Sequence, residues 1–342
     1  MGDYNISKPI KRLDQFDYLK GLGIILVILG HIEIPQMMKT IIYSFHMPLF
    51  FFVSGCFFRS ISWREFLKKR YKQLLIPWLF FAFLYFVYLF VLRFYEVHNL
   101  TDAILIPVMS ILDGFFGDEN SFVLFHTIWF LICLFEVSFV YLLIQKITSP
   151  PLNINKSFII NILCVLLYGV GYWLNANDID LPYFIDTVMS TLIYYHLGFC
   201  FTRNKWYDIK ISPIFSLCLL IIAIVFVVLF PSYVDLKSNC FPLYLLLLSM
   251  VFIVSIYYLI NASCNLSNQK LHWNKILIWC GTNSLALLGL HQLFVDTFRI
   301  VRNKLHLVNY GWTILEFAFI VTICYFATTL IKKYIPFVLG RS

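Results

Sequence analysis

The chain has 342 residues, of which 61% are hydrophobic, 19% are aromatic and only 13% are charged. About a quarter of the residues of a soluble protein are charged, so this composition excludes a soluble enzyme and indicates a polytopic membrane protein. The net charge of +8 would suit nucleic acid, but the basic residues fall in alternate connections between apolar segments, a pattern that sets membrane topology. We therefore expect membrane lipids as partners, and no nucleic acid.

Ten apolar stretches are long enough to cross a bilayer. They cover approximately residues 17–37, 41–58, 73–94, 122–145, 157–175, 182–201, 212–230, 241–261, 276–296 and 312–334. An eleventh stretch, Ala103 to Phe116, is short and contains Pro107, so it is predicted to be re-entrant or interfacial. No internal repeat or linker divides the chain. The sequence predicts an all-α fold with about ten transmembrane helices in a single domain, residues 1–342.

Lys and Arg predict the orientation of these helices. Most of the 26 basic residues lie in the two tails and in the connections on the same side, which makes both termini cytoplasmic. The opposite connection, residues 95–121, has no Lys or Arg and carries five acidic residues. Arg299, Arg302 and Lys304 are exceptions, because this topology places them outside. They indicate either a miscounted span or an external site for an anion.

The N-terminal stretch and the cysteines narrow the class further. The polar, basic stretch from Gly2 to Gln15 does not resemble a removable signal peptide, so we expect the first span to be retained. The nine cysteines are scattered, without a CxxC pair. They are predicted to be small packing residues, and we expect no metal.

The first span carries three residues that are costly in a membrane: Lys20, His31 and Glu33. His31 follows Lys20 by eleven positions, so in a helix the two side chains lie about 16 Å apart along the axis and point to nearly the same side. Ionisable residues inside a membrane usually mark a functional site. Glu33 lies on a different helix face if the helix continues, but Pro35 makes distortion plausible and leaves a contact between His31 and Glu33 open.

The predicted topology separates two groups of residues. His46 and His291 lie in the outer half of their spans, near the depth of His31, whereas Arg70 and Lys72 lie beside Lys20 on the cytoplasmic side. Arg and Lys pair strongly with phosphate oxygens, so the basic group suits a nucleotide-like donor. A histidine deeper in the membrane suits general-base activation of a hydroxyl, or a covalent acyl-histidine. Together they predict a reaction across the membrane.

Each of these residues also has a structural interpretation. Lys20 can be a snorkelling anchor, and Arg70 and Lys72 can belong to an ordinary positive-inside run. His46 precedes Pro48 and can brace a broken helix. Two further residues have the same ambiguity: Trp129 can face lipid or line a path for sugar or pantetheine, and His291 can hold two helices together.

Two segments near the N-terminus are similar to the acyltransferase-3 family of integral membrane acyltransferases, and most of all to its branch related to fucose 4-O-acetyltransferases. They are DYLKGLGIILVILGH and FHMPLFFFVSG. The family pattern of a basic residue, ten residues and a histidine is met by Lys20 and His31. Later segments also resemble family landmarks: KKRYKQLLIPWLF (68–80), IWFLICLF (128–135) and GTNSLALLGLHQLF (281–294), which contains His291.

The resemblance implies a multi-pass enzyme of a bacterial inner or plasma membrane. It implies acetyl-CoA as a donor from the cytoplasm, His31 as the catalytic residue and a sugar hydroxyl as acceptor, in a surface glycan or its lipid-linked precursor. Lys20, Arg70 and Lys72 would then hold the donor, Glu33 would assist His31, and His46, Trp129 and His291 would contact substrate. One departure weakens the donor site: where many members have Arg-x-x-Arg, this chain has Arg70 followed by Gln73.

Two other classes of protein remain open. A proton-coupled transporter or flippase for a glycan would use the buried His and Glu as a proton relay, but it is expected to show inverted repeats, and none is seen. A glycan polymerase usually needs a large external loop, and the longest here is about residues 95–121. The sequence is compatible with a homo-oligomer.

Overall fold

A computed structural model describes residues 14–116, 127–148, 156–236, 241–266, 272–305 and 311–340, and the regular elements within these ranges are helices. The α-helices, in chain order from α1 to α14, are Asp14–His31, Gln36–Tyr43, His46–Cys56, Trp63–Arg70, Ile76–Val97, Leu100–Phe116, Trp129–Ile147, Lys156–Ala176, Ile185–Arg203, Pro213–Leu229, Leu243–Leu266, His272–Thr282, Ser284–Lys304 and Gly311–Tyr334. A π-helical turn, Tyr71–Leu75, joins α4 to α5. The all-α prediction is confirmed.

Eight helical segments in the described part of the chain are long and apolar enough to cross a membrane, and some of them join two consecutive helices of this numbering. They are Gln36–Cys56, Trp63–Glu96, Trp129–Ile147, Lys156–Ala176, Pro182–Arg203, Leu243–Cys264, Ser284–Lys304 and Gly311–Tyr334. Each corresponds to one of the ten predicted stretches. The other two predicted stretches correspond to α1, which carries Asp14, Asp17 and Lys20, and to α10, which has 17 residues. The eleventh stretch falls in α6, which is also 17 residues long.

The boundaries of two predicted spans differ from the helices. The third span begins earlier, because the helix that was predicted from residue 73 starts at Trp63 and continues through the π-helical turn. The stretch 276–296 is divided at Asn283, whose side chain donates a hydrogen bond to the Trp279 carbonyl. The helix after this break, α13, then continues to Lys304. The predicted cytoplasmic termini stay a prediction, and residues 1–13 lie outside the described part.

Two pairs of helices are in backbone contact at glycines. A Cβ atom on Gly281 of α12 would lie 1.8 Å from the Asp17 carbonyl oxygen of α1, and one on Gly198 of α9 would lie 1.9 Å from the Phe52 carbonyl oxygen of α3. Small residues let helices approach this closely in membranes. These crossings fix α1 and α3, the helices that carry His31 and His46.

Candidate functional site

A cavity lies where α1, α3, α7 and α13 meet. Its empty space, including the open mouth, is about 350 Å³. The residues that line it are Val27, His31, Tyr43, His46, Met47, Thr127, Trp129, Asp235 and Leu288. The structure therefore brings together three of the residues predicted for the site, His31, His46 and Trp129, from three separate helices.

His31 is the last residue of α1, and its ring is oriented by its own helix. Nδ1 lies 2.8 Å from the Val27 carbonyl oxygen. Because a carbonyl oxygen only accepts hydrogen bonds, Nδ1 must carry the proton in this contact, which assigns the tautomer. In the neutral ring, Nε2 then has the lone pair. His31 is therefore prepared to act as a base or nucleophile through Nε2.

His46 and His291 are held in the same way. The Nδ1 atom of His46 lies 2.8 Å from the Ile42 carbonyl oxygen, and that of His291 lies 2.9 Å from the Leu287 carbonyl oxygen. The His291 ring is fully buried and contacts His31 edge to face, with 5.0 Å between the ring centroids. His291 thus adjoins the cavity through His31.

Aromatic rings form much of the remaining wall. Tyr43 packs on His46 with 4.8 Å between ring centroids and on Tyr233 with 4.9 Å. Tyr233 stands behind Tyr43 and does not itself line the cavity. Burial raises the pKa of Tyr233 above its ordinary value, the hydrogen bond with Tyr43 acts in the opposite direction, and the Asp235 carboxylate raises the pKa further. Trp129 is 4% exposed. These flat, partly polar surfaces suit a sugar ring.

Three residues that line the cavity were not predicted from the sequence as site residues: Tyr43, Thr127 and Asp235. Tyr43 offered a weak signal, since it precedes His46 by three residues in the YSFHMP segment. Asp235 is an acidic residue in the connection between α10 and α11. Only the fold brings that connection to the end of α3.

Glu33 does not lie beside His31, with which a contact had been left open. Its carboxylate is 62% exposed and pairs with Arg302 of α13, with 2.5 Å between Oε1 and Nη2. The Arg302 guanidinium is buried and also lies 3.5 Å from the Glu316 carboxylate of α14. The catalytic role of Glu33 stays a prediction, and its contacts indicate a structural one.

The same region explains two of the three cations that depart from the positive-inside pattern. Arg299 pairs with Asp296 at 3.0 Å and donates a 3.4 Å hydrogen bond to the His31 carbonyl. The Thr313 hydroxyl of α14 donates a hydrogen bond to the Glu33 carbonyl at 2.7 Å. Together with Arg302, these contacts form a clamp that ties the end of α1 to α13 and α14. Arg299 and Arg302 thus have intramolecular acidic partners.

The three predicted donor-binding residues have separate surroundings. Lys20 pairs with Asp17 of its own helix at 2.7 Å. Arg70 donates a hydrogen bond to the Tyr195 hydroxyl at 3.1 Å. Lys72 is exposed in the π-helical turn, a type of distortion that is frequent at functional sites. Their joint role in donor binding stays a prediction.

Among the residues that the structure describes, no group of three or more His, Cys, Asp or Glu side chains is arranged to hold a metal ion. The eight described cysteines are free thiols, five of them buried. Cys240 lies outside the described residues.

Comparison with known protein families identifies a match over most of the chain. The model of the family Acyl_transf_3, described as an acyltransferase domain, matches residues 13–332. No curated protein and no solved structure matches the chain. The family match extends from the start of α1 into the last turn of α14, so it includes the histidine cavity and the basic residues alike.

Proposed function

The chain belongs to the acyltransferase-3 family and is a multi-pass membrane acyltransferase, and we propose that it transfers an acetyl group from cytoplasmic acetyl-CoA to a glycan. The acceptor would be a hydroxyl of a surface glycan or of its lipid-linked precursor, at a bacterial inner or plasma membrane. The observation that carries the proposal is the His31 ring, which lines the cavity while its Nδ1 faces the Val27 carbonyl.

In the proposed reaction, His31 acts as a general base. Its Nε2 takes the proton of the acceptor hydroxyl as the oxygen attacks the thioester carbonyl carbon. The carbon–sulfur bond then breaks, and the leaving thiolate takes the proton back from the imidazolium, which yields an O-acetyl ester and free CoA. A covalent route uses the same lone pair, because Nε2 can itself accept the acetyl group before the hydroxyl attacks.

The walls of the cavity support a sugar as acceptor. Trp129 and Tyr43 offer rings on which an apolar sugar face can stack. His46 is held by its own helix and can exchange a hydrogen bond with a sugar hydroxyl through Nε2. His291 would act through His31, since it contacts that ring.

The donor would approach from the basic residues. Lys20 and His31 are separated by about 16 Å of helix, so phosphate groups at Lys20, Arg70 and Lys72 would leave the pantetheine arm to carry the thioester toward His31. Arg and Lys suit these phosphates. Because Lys20 and Arg70 have intramolecular partners in this structure, donor binding would have to exchange those contacts.

A proton-coupled transporter or flippase for a glycan is the second candidate. The contact between the His31 and His291 rings favours it, since adjacent imidazoles can pass a proton. The two candidates differ in chemistry: only the acyltransferase consumes acyl-CoA.

Turnover of the donor tests the proposal. The full-length protein would be reconstituted in liposomes with radiolabelled acetyl-CoA, and free thiol and labelled products would be measured for the wild type and for His31→Ala, Lys20→Ala and His98→Ala, the last an exposed histidine outside the cavity. We expect His31→Ala to lose roughly a hundredfold or more of the rate, Lys20→Ala to raise the KM for acetyl-CoA, and His98→Ala to match the wild type. A wild-type protein that neither binds nor consumes any acyl-CoA would refute the proposal and favour the transporter.

A further inference from the structure

A second cavity lies between α7, α8 and α9, and none of the residues of the proposed reaction lines it. Its empty space, including its open side, is about 800 Å³. It is lined by Phe135, Glu136, Phe139, Val140, Leu167, Tyr183, Ile185, Val188, Met189 and Leu192. We call it the side groove. Its wall is apolar except for the Glu136 carboxyl and the Tyr183 hydroxyl.

The side groove opens toward lipid. Three of its lining residues are exposed on the surface of the helix bundle: Phe139, Tyr183 and Ile185. They belong to segments long and apolar enough to cross a membrane, where exposed apolar side chains face hydrocarbon. A ligand of the side groove would therefore enter from the bilayer and carry an apolar chain.

Glu136 is the unusual residue of the side groove. Its Oε2 atom is shielded from solvent and has no hydrogen-bond partner among the described residues. A carboxyl group in the middle of a spanning helix is costly unless it is paired, and such residues usually mark a functional site. An ionised Glu136 carboxylate needs a hydrogen-bond donor at this atom, and the open groove beside Glu136 gives a ligand room to supply it.

The charges around the side groove indicate which kind of hydrogen-bond donor a ligand would supply to Glu136. Asp186 lies in the first turn of α9, directly after the lining residue Ile185, and the residues that line the side groove include no Lys or Arg. An ammonium group would meet the Glu136 carboxyl in the wall, with the acidic Asp186 one residue beyond the wall residue Ile185. It would also be attracted by the rings of Phe135 and Tyr183. Anionic lipids would be repelled.

From these observations we propose that the side groove binds a cationic amphiphile, with its apolar chain along α7 and α9 and its ammonium group at Glu136. The side groove adjoins the histidine cavity, because Phe184, next to Tyr183, packs against Trp129 with 5.9 Å between ring centroids. The proposal does not depend on the identity of the acyl donor or acceptor, since it concerns binding alone.

A binding experiment with three matched probes tests it. Purified full-length protein in a neutral detergent would be titrated with dodecylamine, dodecanol and dodecanoic acid, and a photoreactive form of the amine would map the site by mass spectrometry. We expect saturable binding of the amine, roughly tenfold or more tighter than the alcohol, no saturable binding of the acid, and cross-links within residues 135–140 and 185–192.

Variants then test the Glu136 carboxyl and the apolar wall of the side groove separately. Glu136→Gln should weaken amine binding roughly tenfold and remove its preference over the alcohol. Met189→Trp should fill the side groove and abolish binding of both, whereas Leu217→Trp, a substitution on the exposed face of α10, should change nothing. All three variants would be checked by size-exclusion chromatography. Equal affinity for amine and alcohol in the wild type, cross-links elsewhere, or Glu136→Gln and Met189→Trp both binding like the wild type would overturn the proposal.

Discussion

The polar residues at the two ends of α1 differ in the contacts that they make. At the histidine end, His31 meets His46 and Trp129 in one cavity, and its ring is oriented by its own helix. At the basic end, Lys20 and Arg70 each engage a different partner, Asp17 and Tyr195. The histidine end is thus assembled in this structure, whereas the basic residues are engaged by separate partners.

This difference follows from the surroundings of each end. The His46 imidazole is buried and the His31 ring is half-buried, so packing and hydrogen bonds to protein groups hold each ring in one position. Long basic side chains near a membrane surface reach water and headgroups and can change partners at low cost. We infer that chemistry is preorganised at the histidine end, whereas recognition of the donor at the basic end depends on rearrangement.

The largest expected effect is on the packing that holds the basic end of α1. Gly281→Ala would put a methyl group 1.8 Å from the Asp17 carbonyl oxygen. Overpacking against the backbone should lower the free energy of unfolding by about 3 kcal/mol or more, which would be measured as a lower unfolding temperature in detergent. Gly169→Ala is the matched control, because a Cβ there meets no atom within 4 Å. Equal behaviour of the two variants would contradict the close crossing of α1 and α12.

Removing the clamp at the histidine end should have the next largest effect. Arg302→Gln leaves the buried Glu316 carboxylate without its cation, and breaking a buried pair costs about 3 kcal/mol. We expect Arg302→Gln to lower the free energy of unfolding by about 2 kcal/mol, because Glu33, the other acidic partner of Arg302, is exposed. Turnover should fall with stability, since the end of α1 loses an anchor. Arg302→Lys should restore part of both, and a wild-type unfolding temperature for Arg302→Gln would show that the clamp does not stabilise the fold.

At the basic end, loss of one cation should alter donor binding more than the chemical step. Lys72→Gln is expected to raise the KM for acetyl-CoA roughly tenfold while kcat changes little, and the wild-type KM should rise with salt. Lys210→Gln, another exposed position, serves as the control. A lower kcat with an unchanged KM would assign Lys72 a role other than donor binding.

Glu33→Gln should have the smallest effect and separates the two interpretations of this residue. A carboxylate that assists His31 predicts a loss of roughly a hundredfold in turnover. The exposed pair with Arg302 predicts less than about tenfold, with a stability change below about 1 kcal/mol. We expect the second result, and the rate of acetyl-CoA consumption decides between them.

Composition and hydropathy were enough to predict the helices, because every spanning segment must satisfy its own backbone. Depth within the first two spans was enough to place His31 and His46 in one region. Neither argument could predict that Glu33 pairs with Arg302, because 269 positions of sequence separate them and no local pattern links them.

The remaining site residues depend on how the helices pack. Asp235 enters the cavity from a connection that carries no spacing signal, and the Gly21–Gly281 crossing joins two helices from opposite ends of the chain. The extension of α13 through Arg302 was missed for a related reason. Arg302 ends the apolar stretch in a hydropathy plot, but its charge is paired with Glu33, which follows α1, and with Glu316 of α14.

The most direct test of a catalytic His31 compares it with a histidine of another helix, His196 of α9. His31 lines the cavity, whereas His196 is bound on both ring nitrogens, to Tyr141 and Asn161, away from it. Single-turnover consumption of acetyl-CoA would be measured for His31→Gln and His196→Gln after both are shown to be folded. The account predicts a loss of roughly a hundredfold or more for His31→Gln and less than about tenfold for His196→Gln. A His31→Gln rate within tenfold of the wild type would contradict it.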